Sequence, residues 1–306
     1  MRPLKNLSEV AVVGAGLAGL SAARHAARLG RLVTLFEASA LFGGLVATID
    51  EVEGLSVPGK FSGQALAMHL LEDARKAGVR VVATGIAKLE LSTRPTLADQ
   101  DGNIHHPEAI VIASGASLRK LGVPREDEFL GRGLSRCATC DGGFFRGLDV
   151  VVVGGGDAAV QEALLLTKTS RWVTMICRSA MKAKRESIDK LAARENVSFV
   201  WDSEVTEILG EDGVSCVRAR NLKDGTSQDI QCAGVFPFIG VTPNTGFLPA
   251  SLLTETGHVK TNPRLASSDP RVLAVGAVRA DYGGSVIQAM AEGVGAAQAV
   301  ADFVRS

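Results

Sequence analysis

The sequence predicts an α/β fold of two Rossmann-like, three-layer ββα dinucleotide-binding domains, one inserted in the other. Three observations carry this reading. A strand, a glycine-rich turn and a helix open the chain at Val10, and the same succession returns at Val150. Between and after them lie two further apolar strands, Ala109–Ser114 and Val272–Gly276, which read as a return of the chain to the first domain.

In the first copy, Val10–Val13 is an apolar run expected to be a buried strand. Gly14-Ala15-Gly16-Leu17-Ala18-Gly19 follows, a helix is expected over Leu20–Leu29, and a second strand over Leu32–Phe36 ends at Glu37. The three glycines act differently. Gly14 makes the tight turn, Gly16 lets backbone approach a pyrophosphate, and Gly19 brings the helix close to the strand. The helix N-terminus offers free N–H groups and partial positive charge to phosphates. Glu37 stands where an acid can accept hydrogen bonds from an adenosine ribose.

In the second copy, the strand Val150–Val153 leads into Gly154-Gly155-Gly156-Asp157-Ala158-Ala159, with Ala159 in the third glycine's place. A helix over Val160–Leu166, with Gln161 and Glu162 on its polar side, and a strand over Trp172–Cys177 complete it. Ala109–Ser114 ends at Gly115, and Gly234–Phe238 leads into Ile239–Asn244. Residues 116–121 and 240–244 are therefore the expected hinges. The first domain would comprise 1–117 and 244–306, the inserted one 118–243, and the last helix would run from about Ser285 to Arg305.

Composition narrows the function. Lys plus Arg number 33 and Asp plus Glu number 33, a net charge of zero that argues against bulk binding of nucleic acid or an anionic membrane surface. No apolar run reaches the roughly 18 residues of a membrane span, and Met1–Val10 lacks a signal-peptide core. Five scattered cysteines do not form a secreted disulfide framework, so a reducing cytoplasm is the expected compartment. Cys177, Cys216 and Cys232 read as small core residues.

Cys137-Ala138-Thr139-Cys140 is different. Two thiols at this spacing can close a small ring at a helix start, where the helix dipole lowers a thiolate pKa, and Asp141 places a carboxylate suited to proton transfer beside them. A zinc site would need four ligands, and neither a second cysteine pair nor an adjacent histidine supplies them. No metal is expected.

These motifs together resemble the low-molecular-weight thioredoxin reductases among the pyridine nucleotide-disulfide oxidoreductases. The resemblance spans nearly the whole chain and rests on Gly14–Gly19, Gly43-Gly44, Cys137–Asp141, Gly154–Ala159 and the terminal strand at Gly276. It implies an FAD domain, an inserted NADPH domain carrying the disulfide, a homodimer, and rotation of one domain so that disulfide and nicotinamide reach the same flavin in turn. It further implies a thioredoxin-like protein or small disulfide as substrate. Cys140 would face the flavin, Cys137 would attack the substrate, and Asp141 would be the general acid. FAD contacts fall on Gly14, Ala15, Gly16, Leu17, Ala18, Gly19, Glu37, Ala38, Gly43, Gly44, Leu45, Gly115, Gly276, Ala277, Gln288 and Ala289. Those to NADPH or NADH fall on Gly154, Gly156, Asp157, Ala158, Arg178 and Lys182.

The chain departs from the family at four places. His-Arg-Arg with a further Arg four residues on, which holds the NADPH 2′-phosphate, is here Cys177-Arg178-Ser179-Ala180-Met181-Lys182-Ala183, with Lys184 and Arg185 beyond. Gly-Asp-Val is Gly276-Ala277-Val278, and Arg-Gln-Ala is Ile287-Gln288-Ala289. Gly54 replaces an asparagine near the flavin. The altered basic motif opens two alternatives to an NADPH-fed reductase: a flavin-dependent dithiol oxidase, or a reductase fed by NADH or a non-nicotinamide donor.

Overall fold

The structure is a computed structural model that describes residues 9–49, 51–52 and 61–305. Gly54 lies outside the described residues. The chain divides into two compact units, Met1–Ser117 with Pro243–Ser306, and Leu118–Thr242.

In the first unit, β1 (Val10–Val13), β2 (Val33–Phe36), β3 (Arg80–Val82), β7 (Ala109–Ile112) and β17 (Val272–Ala274) form a parallel sheet ordered β17-β7-β1-β2-β3. β1, β2 and β7 are buried on both faces, which is why they read as continuous apolar runs rather than alternating ones. One face packs against α1 (Leu17–Arg28), α2 (Gly63–Lys76) and α7 (Val286–Arg305), with Leu20, Leu35, Leu71 and Val300 in the shared core. The other face packs against an antiparallel sheet of β4 (Ile86–Glu90), β5 (Thr96–Asp99) and β6 (Ile104–His105), with Phe36, Leu97, Ile110 and Leu252 buried between.

The second unit repeats the plan. β9 (Asp149–Val153), β10 (Trp172–Cys177), β11 (Val197–Trp201) and β15 (Gly234–Pro237) form a parallel sheet ordered β11-β10-β9-β15. Between β15 and the first unit the chain forms the short strand β16 (Val241–Pro243), as it forms β8 (Ala116–Leu118) on leaving. The turn α3 (Glu126–Phe129) and the antiparallel sheet β12 (Ser203–Leu209), β13 (Cys216–Asn221) and β14 (Ser227–Gln231) cover one face with Phe129, Ile208 and Val217. A four-residue helical turn, α4 (Ala138–Asp141), with α5 (Asp157–Leu166) and α6 (Arg185–Ala192), covers the other. Each unit is thus the expected three-layer ββα sandwich.

Both glycine-motif helices start earlier than the sequence suggests, α1 at Leu17 rather than Leu20 and α5 at Asp157 rather than Val160. The reason is local. Gly16 and Gly156 are extended residues that already cap the helices, so the latter half of each motif is the first helical turn. Glu162 also departs from its expected place: Gln161 is exposed, but Glu162 turns inward and is half-buried.

Candidate active site: two glycine turns and a disulfide

In the first unit, the glycines separate into those the protein's own packing requires and one that it does not. Gly14 has φ +102°, and a Cβ there would lie 2.4 Å from the Ala113 carbonyl oxygen; a Cβ on Gly19 would lie 1.9 Å from the Gly14 oxygen. Gly16 has ordinary backbone angles, and its nearest neighbour would be the Gly43 oxygen at 4.0 Å. Its missing side chain therefore serves space outside the protein. A parallel bridge joins Gly16 to Gly43, and the Gly43 N–H donates to the Ala15 oxygen at 2.9 Å. Gly44 lies over Gly16, and Leu45 beyond it is exposed. No side chain caps the N-terminus of α1. This slot of bare backbone at a helix start has the chemistry of a pyrophosphate cradle, so the residues present fit a dinucleotide.

The other expected contacts gather partly around it. Glu37 follows β2, where its carboxylate accepts the Ala15 N–H at 2.6 Å and the Ser39 N–H at 2.8 Å, leaving lone pairs for ribose hydroxyls. Ala38 beside it is exposed. A Cβ on Gly276 would lie 3.1 Å from the Ala18 side chain, which puts the end of β17 beside the glycine turn. Gly115 follows β7 at φ +65°.

Gln288 is committed elsewhere: its Nε2 donates to Glu292 at 2.8 Å and its Oε1 accepts the Gly283 N–H at 3.0 Å. Ala289, next along α7, is buried. Sequence reasoning missed Glu292. Its buried carboxylate also accepts the Gly276 N–H at 2.8 Å and Arg279 Nη2 at 2.7 Å. Burial alone would raise its pKa, but these bonds, Arg279 first among them, bring it below the usual carboxylate range. Glu292 thus anchors the turn in which Ala277 replaces the family's aspartate.

The second unit repeats the division among glycines. A Cβ on Gly154, at φ +134°, would lie 2.2 Å from the Phe238 oxygen, whereas Gly156 has nothing within 4 Å. No side chain caps α5. Gly154, Gly155, Gly156, Arg178 and Lys182 line one cavity of about 350 Å³, together with Leu121, Glu204 and Ile239. Its bare helix start and its cations fit a phosphate-bearing dinucleotide.

Cys177 ends β10 with its thiol directed to the Gly154 oxygen at 3.2 Å, and burial pushes it up to about 11. Arg178 and Lys182 are exposed, whereas Arg185 is paired with Asp189 at 2.9 Å. Asp157 Oδ1 accepts the Lys184 N–H at 2.8 Å and so ties the following loop to α5, with Ala158 exposed beside it.

The same unit holds a formed Cys137–Cys140 disulfide. Cys137 caps α4, its sulfur accepting the Cys140 N–H at 3.0 Å. Cys137 is buried and Cys140 exposed. Ser135 Oγ accepts the Cys137 N–H at 3.1 Å and donates to Asp141 Oδ2 at 2.7 Å, so Asp141 is linked to the pair through a hydroxyl. Glu162, reaching across from α5, accepts the Ala138 N–H at 2.7 Å. Phe144, four residues after Cys140, is 81% exposed. Neither Ser135 nor Phe144 carries a motif signal. The sequence puts Glu162 on the polar side of its helix, and nothing in it signals the reach to Ala138.

Comparison with known proteins assigns the chain to a family. Residues 8–293 match the pyridine nucleotide-disulphide oxidoreductase family. The thioredoxin reductase of Treponema pallidum (strain Nichols) is 36% identical over 305 residues, covering 97% of each chain. That of Bacillus subtilis (strain 168) is 33% identical, covering 98% of this chain and 96% of its own. Among solved structures, the thioredoxin reductase of Lactococcus lactis superposes with a TM-score of 0.93 at 31% identity, covering 98% of this chain and 99% of its own. The thioredoxin reductases among them work with FAD and NADPH. Among the described residues no helix is long and apolar enough to cross a membrane. The chain belongs to the pyridine nucleotide-disulphide oxidoreductase family and is an FAD-dependent, thioredoxin reductase-like disulfide oxidoreductase.

Proposed function

We propose that the chain is an NADPH-fed reductase of thioredoxin, with FAD held by the first unit and NADPH by the second. The observation that carries this reading is one unit holding both a formed Cys137–Cys140 disulfide and an open glycine-turn cavity lined by Arg178 and Lys182. In the first unit the α1 N-terminus, Gly16 and Gly43-Gly44 would hold the FAD pyrophosphate, and Glu37 the adenosine ribose. When bound, FAD accepts hydride from NADPH and returns two electrons to the disulfide.

The chain's own groups do the rest. Arg178 and Lys182 give charge to a 2′-phosphate, Arg178 with the geometry for a bidentate contact. Cys140 would face the flavin and Cys137 would attack the substrate disulfide. Because Cys137 is the buried partner here, its attack requires the redox turn to become accessible. Asp141, linked to the pair through the Ser135 hydroxyl, would act as the general acid. The two units are joined by only two chain crossings, at 117–118 and 242–243, and rotation about them would present cavity and disulfide in turn. Phe144 offers an exposed aromatic next to the pair, which suits a protein substrate better than a small disulfide.

A homodimer is part of this reading by kinship. A cytoplasmic setting accords with three free, buried cysteines. The test is anaerobic mixing of the flavoprotein with NADPH, then NADH, followed by thioredoxin. Bleaching of the flavin band by NADPH and its return on adding oxidised thioredoxin are expected. Bleaching by dithiothreitol but by neither nicotinamide would instead establish a dithiol oxidase or another electron carrier as donor.

A further inference from the structure

We propose that Glu162 is a positioning residue that sets the balance between disulfide and dithiol in the Cys137–Cys140 pair. The inference rests on the reading of that pair as redox-active. Cys137 caps α4, and the N–H groups at the start of such a turn are the donors that favour a thiolate. Cys137 Sγ receives one of them, from Cys140 at 3.0 Å. The next, on Ala138, goes to Glu162 Oε2 at 2.7 Å. A carboxylate therefore occupies a donor one peptide away from the sulfur, inside the four-residue ring.

Its surroundings set the size of the effect. Glu162 is half-buried, reaching Ala138 beside a core that includes Phe145, Ala159, Val160 and Ala163, where charges are screened less than in water. Burial raises its pKa, with the Ala138 N–H pulling the other way. Its helix, α5, begins at the cavity glycines, so one helix borders the dinucleotide cavity and grips the redox turn. Asp141 makes a second, separate link through Ser135.

The chemistry gives the sign. Reduction breaks the Cys137–Cys140 bond, takes up two electrons from the FAD–NADPH couple and one proton, and leaves one thiol and one thiolate. The disulfide is neutral and the product carries a negative charge beside Glu162. Glu162 therefore disfavours the reduced pair and makes it the stronger reductant, as stabilisation of the reduced form makes a pair the stronger oxidant.

The experiment is anaerobic equilibration of the FAD-loaded protein in glutathione redox buffers at fixed pH, with the dithiol fraction read by alkylation and mass. Glu162→Gln keeps the shape and an acceptor but removes the charge. The equilibrium should move about tenfold toward dithiol, about 30 mV for a two-electron couple. Glu162→Asp keeps the charge but withdraws it from Ala138, and should move the balance the same way by about threefold, providing the decision if the glutamine variant does not fold. A glutamine variant with unchanged flavin content and an equilibrium within twofold of wild type would overturn the inference and reduce Glu162 to a packing role. A wild-type pair that does not interconvert in the buffers would instead overturn the redox reading itself.

Discussion

The two glycine turns share one scaffold and differ at the end of the second strand. In the first unit that strand is followed by Glu37, whose carboxylate closes onto the Ala15 N–H. In the second it ends in Cys177, whose thiol bonds the Gly154 oxygen, followed by the exposed cation Arg178. Gly14 and Gly154 meet a backbone oxygen in equivalent places, and Gly16 and Gly156 are equally open. Packing therefore dictates the same turn twice, while one or two residues beyond it give the first turn a carboxylate and the second an exposed cation. The second unit adds the disulfide, for which the described part of the first has no counterpart.

That last difference is the easiest to break. Cys137→Ser or Cys140→Ser should lower thioredoxin turnover by roughly a thousandfold or more while NADPH still bleaches the flavin, as stopped-flow absorbance will show. Next in size is the division among glycines. Gly14→Ala forces a Cβ against the Ala113 oxygen at positive φ and should cost about 3 kcal/mol in urea denaturation. Gly16→Ala should leave the FAD-free protein within about 0.5 kcal/mol of wild type yet weaken FAD retention, since only the ligand meets the new methyl. Equal destabilisation by the two would dissolve the distinction.

Glu292 sharpens the comparison from the first unit's side. Its pKa is depressed on folding, so the stability it contributes is present above the unfolded carboxyl value near 4.3 and is lost as pH falls through the folded value. Glu292→Gln leaves Arg279 largely buried without its counter-charge and should cost about 3 kcal/mol at pH 7. The gap from wild type should narrow below about pH 4. At the second unit's turn, Arg178→Ala should raise the NADPH KM about tenfold and the NADH KM less than twofold, because the guanidinium would meet only the 2′-phosphate. An equal rise for both would place Arg178 on the shared part of the nucleotide. The smallest effect is a silence. Burial holds Cys177 near 11 and Cys232 near 12, and Cys216 is also raised, so these thiols stay neutral at pH 8. Iodoacetamide should label two cysteines, not five, in the reduced native protein.

Much of the fold was legible because its signals are local. Short apolar strands next to glycine turns need no distant partner to be recognised: Val10–Val13 matches β1, and Val150–Val153 matches β9 except for Asp149 at its start. The helix starts were misplaced by three residues, since a glycine that caps a helix and one that only turns the chain are identical in sequence. The cysteine pair and Asp141 were legible from spacing, but the partners that define their surroundings were not. Glu162 is 24 positions from Ala138, and Ser135 is one serine among many until the turn folds. The absent aspartate at Ala277 is legible too, yet the carboxylate holding that turn comes from Glu292, 15 residues further on, in α7.

By itself, then, the sequence determined two nucleotide-type turns, a redox-spaced cysteine pair and the weakening of a basic motif, because each depends on residues within a few positions of one another. Only the tertiary structure decided which glycines are left open for a ligand, which cations line the second cavity, and which carboxylate reaches the disulfide ring. Those depend on distances between elements far apart in the chain, fixed when the sheets pack and the strand ends converge.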